Sequence, residues 1–320
     1  ETALEQLLAP AIAYAEHGFP VSPIVARSWQ LETARFLPLA DPATAHWGVT
    51  FAPGGRAPEA GERWSSPDQG RTLRILARKG VQEFYEGEIA EKIVAFSEQT
   101  GGHLKMDDLT AHQSQWVTPI STNYRGYDVW EIPPNGQRLA ALIALSILDG
   151  TDLPVHPHGS EAAVHLQLEA MKLAFADAAR YIADPEHMAI AAGDFLDPDY
   201  IASRRALIGS GARLREAGNP PRGGTVYLAA ADRDGMMVSL IQSTFNGFGS
   251  GVVVPETGIA LHNRGACFTL EPGHPNALAG GKRPYHTIIP AFLTRAGQAV
   301  GPFGVMGTYM QPQGHTQVVS

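Results

Sequence analysis

The feature that most constrains the fold of this chain is a predicted β-hairpin over residues 225–243. Two runs rich in Val, Leu, Ile and Tyr flank the sequence Asp-Arg-Asp-Gly at 232–235. Asp-Gly between apolar runs is the strongest short-range hairpin signal. In an antiparallel pair that turns at residue 234, paired residue numbers sum to about twice that value. We therefore expect Thr225 to lie across from Ser243, within one residue, so that two hydroxyl groups face each other.

The segment before this hairpin has no apolar period. Residues 213–224 are dense in Pro and Gly and are predicted to form an exposed, mobile linker. Cleavage between Gly224 and Thr225 would give Thr225 a free α-amino group, which can act as the base for its own hydroxyl. On these residues alone, an ordinary loop that enters a hairpin remains the alternative.

Composition excludes several classes of protein. The 320 residues are 44% hydrophobic and 18% charged, which is typical of one large or two small globular domains. The formal net charge is −8 and no long basic run is present, which argues against nucleic acid or an anionic membrane as a partner. No apolar stretch approaches the ~20 residues of a membrane-spanning helix. The single cysteine, Cys267, cannot form an intrachain disulfide.

Apolar periodicity predicts a helical first part and a strand-rich second part. The longest helical pattern covers residues 160–183, and residues 35–66 are predicted to be loop because they lack a period. The predicted core-facing stripe of the long helix comprises Val164, Leu168, Met171, Phe175, Ala178 and Ile182. From Thr225 onward, strands are predicted in the hairpin and at 252–262, 286–294 and 299–305. This succession indicates an α+β fold.

Motifs along nearly the whole chain resemble the γ-glutamyltransferase (γ-glutamyltranspeptidase) family. Gly-Thr before the hairpin and Phe-Gly-Ser-Gly at 248–251 resemble the start of the family's small subunit. Further matches lie, in the family's order, at 18–22, 84–90, 107–109, 169–177 and 281–284. The resemblance implies the four-layer αββα sandwich of N-terminal nucleophile hydrolases, incomplete at both ends. Because family members extend beyond both ends of this sequence, we expect it to be part of a longer protein.

The resemblance also implies a precursor that cuts itself at one peptide bond. Residues 1–224 would form a mostly helical large-subunit portion that ends in the processing linker 213–224. Residues 225–320 would form a strand-rich small-subunit portion. Both portions would contribute to the same sheets, so residue 225 is expected to be a processing point within one structural domain. The implied partners are a small-molecule amide substrate and the two portions of the precursor.

The family's catalytic groups fall on four positions here. Thr225 would attack the Gly224 carbonyl to cut the precursor, and then a substrate amide to form an acyl-enzyme. Ser243 stands where the family has a second threonine that hydrogen-bonds the nucleophile. Gly307 and Thr308 stand where two glycine N–H groups form the oxyanion hole, in which each donor is typically worth ~3–4 kcal/mol. Thr308 departs from the pattern and puts a side chain where the family has none.

Most of the family's γ-glutamyl-binding positions are changed in this chain, although Asn263 keeps the family's asparagine. They fall on Phe245, Asn263, Arg264, Cys267, His286 and Thr287. Cys267 replaces the aspartate that pairs with the substrate ammonium group, and Arg264 adds a group that holds carboxylates with two hydrogen bonds. This pattern is similar to the oxamate amidohydrolase and cephalosporin (glutaryl) acylase branch. The alternatives are that Arg264 is a surface charge and Cys267 a small buried residue.

The resemblance therefore implies an amide hydrolase or acyltransferase without a cofactor, since nucleophile, base and oxyanion hole suffice for amide cleavage. The acyl donor would be a γ-glutamyl compound such as glutathione, or an oxamate- or glutaryl-type amide. We expect no metal, because His156 and His158 lie two apart in a Pro-rich loop and no HExxH or paired-cysteine spacing occurs. The alternative is a non-catalytic or unprocessed relative, which Thr308 favours. The compartment, cytoplasmic or periplasmic, stays open.

Overall fold

The chain folds into two compact units. A computed structural model describes residues 3–213 and 224–320. The first unit comprises Glu1–Gln115 with Gly247–His262, and the second comprises Trp116–Asn246 with Asn263–Ser320. Most of the predicted processing linker lies outside the described residues. Both sides of the Gly224–Thr225 bond belong to the second unit, and the division into a large and a small portion stays a prediction.

Helices and strands both occur in the described residues, which gives the mixed α and β character expected from the sequence. In chain order the elements are α1 (Leu4–His17), β1 (Phe19–Pro20), α2 (Pro23–Phe36), α3 (Ala45–Phe51), β2 (Arg63–Trp64), α4 (Pro67–Lys79), α5 (Glu88–Gln99), α6 (Met106–Thr110), β3 (Ile120–Tyr124), β4 (Tyr127–Glu131), α7 (Arg138–Asp149), α8 (Glu161–Tyr181), α9 (Pro198–Arg205), β5 (Gly224–Ala231), β6 (Met237–Phe245), β7 (Val253–Val254), β8 (Ile259–Ala260), β9 (Ala291–Arg295), β10 (Gln298–Phe303) and α10 (Gln311–Val319).

An aromatic cluster forms one core of the first unit. Trp47 and Phe51 lie one helical turn apart on α3 and are both buried. The Phe51 ring centroid lies 4.6 Å from that of Phe248 and 5.9 Å from that of Trp64. The prediction of loop over 35–66 was wrong here. Helix α3 is only two turns long, which is too short to show a period, and its two buried aromatic residues hold it in place.

Helix α7 is the centre of the second unit. Its apolar residues from Leu139 to Leu148 are buried on every side, as expected for a helix that is apolar all round. The predicted stripe of α8 is confirmed at Met171 and Ala178, which are buried. It was wrong at Val164 and Leu168, which are 40% and 38% exposed. The face of α8 that is buried in this core carries small residues, among them Ala163, Ala170 and Ala174. A prediction based on large apolar side chains gives such small residues too little weight.

The strands of the second unit form an antiparallel sheet and a hairpin. The sheet has the order β10-β9-β4-β3, and β3 turns into β4 at Arg125-Gly126. Strands β5 and β6 pair from Val226↔Gln242 to Ala231↔Met237, with a bulge between Gly224 and Val226. This register confirms the predicted hairpin and sets the end of β6 opposite Thr225.

Candidate active site

Thr225 and Ser243 meet at the open end of the β5–β6 hairpin. The Thr225 side chain is buried, and its Oγ1 donates a hydrogen bond to Ser243 Oγ over 3.2 Å. Ser243 Oγ also accepts a hydrogen bond from the Phe245 N–H at 2.9 Å. Because the backbone orients Ser243, the direction of the Thr225 hydroxyl is fixed as well. The two hydroxyl groups therefore lie together, as the hairpin register predicted.

Phe245 ends β6 in a strained conformation. Its φ of +80° lies in the left-handed region, which costs a residue with a side chain roughly 1–3 kcal/mol. The ring is fully buried, with the Arg264 guanidinium carbon 4.8 Å from its centroid and the Tyr309 ring 6.4 Å away. Phe245 thus packs between the hairpin and Arg264, and a direct contact with substrate stays a prediction.

Arg264 is a buried cation. Its side chain is 3% exposed, so the interpretation of Arg264 as a surface charge was wrong. Its Nη1 donates to the Thr287 hydroxyl at 2.5 Å. Burial lowers the pKa of Arg264, while the neighbouring Cys267 thiol and Tyr309 phenol act in the opposite direction. The guanidinium is therefore held among a hydroxyl, a thiol, a phenol and an aromatic ring.

The thiol and the phenol beside Arg264 are uncharged at neutral pH. Burial raises the pKa of the Cys267 thiol, although Arg264 and Tyr309 oppose this shift. Burial also raises the pKa of Tyr309 well above its usual range, and the nearby thiol adds to the rise. The Tyr309 ring stacks on Tyr285 with 6.0 Å between centroids. Cys267 is buried, as the alternative interpretation expected. Tyr309 was not among the residues predicted from the sequence, where its place directly after Thr308 was the available signal.

The predicted oxyanion segment has an unusual backbone. Gly307 has a φ of +141°, and Thr308 has a φ of +50° with its side chain buried. A β-branched residue rarely adopts this left-handed conformation. The Thr308 carbonyl accepts a hydrogen bond from Gln137 Nε2 at 2.6 Å, and the same nitrogen donates to the Thr287 carbonyl at 2.7 Å. Gln137 was not predicted from the sequence, where it is a polar residue between Pro133-Pro134 and the apolar helix α7.

Asn263 and His286 are anchored to neighbouring backbone groups. The Asn263 side-chain oxygen accepts from the Asn246 N–H at 3.1 Å. The His286 carbonyl accepts from the Gln137 N–H at 2.8 Å, and its ring Nδ1 accepts from the Ile288 N–H at 3.3 Å. These contacts give both residues a part in shaping the loops, and their roles toward substrate stay predictions.

The second unit joins the predicted residues into one set of contacts. Thr225 contacts Ser243, and Arg264 contacts Thr287. The Phe245 backbone and ring connect these two pairs, and Gln137 extends the set to Thr308. Thr225, the buried cation Arg264 and the predicted oxyanion segment are therefore connected through a chain of hydrogen bonds and one aromatic contact.

Neither a metal centre nor a membrane span emerges from the part of the chain that the structure describes. Within residues 3–213 and 224–320, no three His, Cys, Asp or Glu side chains are grouped so that they could hold a metal ion. In the same ranges, no helix is both long and apolar enough to cross a bilayer. His156 Nε2 lies 3.3 Å from Oδ2 of Asp152, four residues earlier in the chain.

Comparison with known proteins identifies the family. The sequence model of the gamma-glutamyltranspeptidase family matches residues 1–320. The chain is 36% identical to the glutathione hydrolase-like YwrD proenzyme of Bacillus subtilis, over 99% of this chain and 59% of the relative. It is also 36% identical to the oxamate amidohydrolase proenzyme of Klebsiella pneumoniae, over 96% of this chain and 57% of the relative.

A solved structure extends the match to the fold. The crystal structure of cephalosporin acylase from Bacillus halodurans is 50% identical and superimposes with a TM-score of 0.95, over 100% of this chain and 59% of the acylase. The chain thus spans less than two thirds of the length of each of these relatives. The resemblance noted in the sequence is confirmed, and the chain belongs to the γ-glutamyltranspeptidase family.

Proposed function

We propose that this chain carries the nucleophile of a self-processing amide hydrolase, in which Thr225 forms an acyl-enzyme. The observation that carries the proposal is the hydrogen bond from Thr225 Oγ1 to Ser243 Oγ at 3.2 Å, at the first side chain of a strand. Two relatives are named as proenzymes, which supports maturation by cleavage. Family membership further supports the four-layer αββα sandwich, with residue 225 as a processing point inside it.

Processing begins with the uncleaved Gly224–Thr225 bond. The Thr225 oxygen attacks the Gly224 carbonyl carbon, the peptide C–N bond breaks, and the acyl group moves to the threonine oxygen. Water then hydrolyses this ester, which leaves a carboxylate on Gly224 and a free amine on Thr225. Glycine suits the position before the nucleophile, since it crowds its carbonyl little. The cut separates the portion that ends at Gly224 from the portion that begins at Thr225.

The mature site then acts on an amide substrate. The new α-amino group of Thr225 takes the hydroxyl proton while the oxygen attacks the substrate carbonyl. The N–H groups of Gly307 and Thr308 stabilise the oxyanion, and the amine product leaves with the proton. Attack by water on the acyl-enzyme gives hydrolysis, and attack by an amine gives transfer. Relatives named as hydrolases and acylases give no support to the non-catalytic alternative.

The surroundings of Arg264 favour a carboxylate-bearing acyl group without a nearby amine. Arg264 supplies a cation, and the neighbouring Cys267 thiol is neutral because burial raises its pKa. A neutral thiol cannot pair with an ammonium group as a carboxylate can. We therefore propose an oxamate- or glutaryl-type amide as substrate. The name of the oxamate amidohydrolase relative supports the first type, and the cephalosporin acylase match supports an acylase. A γ-glutamyl compound such as glutathione is the second candidate, which the name of another relative supports.

Intact mass of the complete gene product tests the nucleophile. We expect the wild type to split between Gly224 and Thr225, and the Thr225→Ala variant to stay whole and to lose all amidase activity. Thr257→Ala is the matched control, since Thr257 is another buried threonine and belongs to the first unit. It should split like the wild type. A Thr225→Ala variant that still split at this bond would refute the proposal.

Substrate preference is tested on the processed enzyme. Hydrolysis rates are compared for glutaryl-p-nitroanilide, γ-glutamyl-p-nitroanilide and oxamate. We expect the amine-free acyl groups to react faster than the γ-glutamyl group. The reverse order would leave Thr225 as nucleophile and would assign the enzyme to γ-glutamyl compounds.

A further inference from the structure

Gln137, just before α7, makes hydrogen bonds to two other segments of the second unit, at 286–287 and at Thr308. Its side chain is fully buried just before α7. Its backbone N–H donates to the His286 carbonyl at 2.8 Å. Its side-chain nitrogen donates to the carbonyls of Thr287 and Thr308, at 2.7 and 2.6 Å. Both protons of the amide are therefore used on loops that carry predicted site residues.

The bond to Thr308 reaches a backbone that is difficult to hold. Thr308 has a φ of +50°, a conformation that persists in a β-branched residue only where the surroundings fix it. The φ and ψ torsions together set the direction of a residue's N–H relative to its own carbonyl. Because the Thr308 side chain is also buried, a donor that fixes the Thr308 carbonyl restricts the directions that the Thr308 N–H can take.

We propose that Gln137 is a positioning residue that aims the oxyanion-binding N–H of Thr308. The inference rests on the proposed function, because it assigns Gln137 a task within that site. It also gives a reason for the departure from the family's second glycine. A threonine can replace that glycine here because Gln137 holds the backbone in the conformation that glycine adopts freely.

The chemistry of the amide fits this task. Two carbonyl oxygens converge on one nitrogen, so the side chain must offer two protons from a single atom, as a primary amide does. The Gln137 side-chain oxygen has no hydrogen-bond partner among the residues that the structure describes. The contacts of Gln137 thus use the donor end of the amide.

Kinetics on the processed complete protein test the proposal. Gln137→Met keeps the length of the side chain and removes both donated hydrogen bonds. Misplacement of a catalytic group by about 1 Å costs roughly 100-fold in rate, so we expect kcat to fall about 10- to 100-fold. We expect KM to change less than kcat, because an oxyanion donor acts mainly in the transition state. Thr308→Gly in the Gln137→Met background should restore part of the lost kcat, because glycine adopts this left-handed conformation without strain.

Gln311→Met is the matched control. Gln311 is also a fully buried glutamine, and neither end of its amide has a hydrogen-bond partner among the described residues. Its kcat should stay within about twofold of wild type, since no hydrogen bond to the site is removed. If Gln137→Met and Gln311→Met have the same kcat per processed molecule and differ only in melting temperature, the role of Gln137 is structural and the proposal is wrong.

A second measurement separates this proposal from the proposed function. If the wild type neither splits nor cleaves amides, the proposed function fails, and hydrogen exchange still tests Gln137. Exchange of the peptide that covers 304–312 should be faster in Gln137→Met than in the wild type and in Gln311→Met. Equal exchange in all three proteins would show that Gln137 does not hold the Thr308 segment.

Discussion

The buried interiors of the two units differ in chemistry. The aromatic cluster of the first unit includes Trp29, Trp47, Phe51, Trp64 and Phe248. The second unit buries an apolar helix together with polar groups, namely Glu131, Gln137, Arg138, Arg264 and His315. Burial of apolar surface stabilises a fold, whereas a buried polar group costs free energy unless hydrogen bonds compensate it. In the second unit, this unfavourable burial of polar groups occurs around the residues to which we assign the chemistry.

Loss of an aromatic side chain from the first unit should give the largest effect on stability. Trp47 is fully buried, so Trp47→Ala is expected to lower the free energy of unfolding by about 3–5 kcal/mol. The kcat of the molecules that remain folded should not change. Urea denaturation and active-site-normalised kinetics measure the two quantities.

Val49→Ala is the control for this prediction. Val49 lies on the same helix and is 71% exposed, so its loss should change stability by less than about 0.5 kcal/mol. A clear fall in the kcat per folded molecule of Trp47→Ala, with no such fall in Val49→Ala, would show that the assignment of chemistry to the second unit alone is wrong.

Loss of one hydroxyl in the second unit should mainly affect activity. Thr287→Val keeps the shape of the side chain and removes the acceptor of the Arg264 hydrogen bond. A hydrogen bond to a charged group contributes about 1.5–3 kcal/mol, so kcat/KM for a carboxylate-bearing substrate should fall roughly 10- to 100-fold. Thr287→Ser, which keeps the hydroxyl, should stay close to wild type. Equal activity in the valine and serine variants would show that this contact does not support substrate binding.

The sequence predicted the features that depend on neighbouring residues. The Asp-Gly signal gave the hairpin and its register, and from these the contact between Thr225 and Ser243 followed. Burial of Arg264 and the contacts of Gln137 could not be predicted in the same way. Gln137 and Thr308 lie 171 positions apart, and only the folded chain shows that an amide before one helix meets a carbonyl before another.

The two units also differ in the surroundings of two of their glutamates. In the second unit, His315 Nδ1 lies 2.7 Å from Glu131 Oε1, and both side chains are fully buried. Burial raises the pKa of Glu131, while His315 and Arg138 oppose the rise. In the first unit, the Arg56 guanidinium makes two hydrogen bonds of 2.8 Å to Glu62. These bonds lower the pKa of Glu62 to about 2.

The two glutamates should therefore respond to pH with opposite sign, in the smallest of the expected effects. A raised pKa means that folded Glu131 holds its proton more tightly than unfolded Glu131, so its contribution to stability is present at low pH and is lost as pH rises through the folded pKa. Glu131→Gln should thus gain stability relative to wild type as pH rises above the ordinary pKa of a glutamate, about 4.3. The Glu62 carboxylate stabilises the fold above its ordinary pKa, and this stabilisation is lost as pH falls toward 2. Glu62→Gln should therefore be less stable than wild type at neutral pH. The difference should be small because solvent screens this exposed ion pair. Urea denaturation across this range measures both differences. If Glu131→Gln instead lost stability relative to wild type as pH rose, the charged form of Glu131 would stabilise the fold, and the contrast between the two glutamates would be wrong.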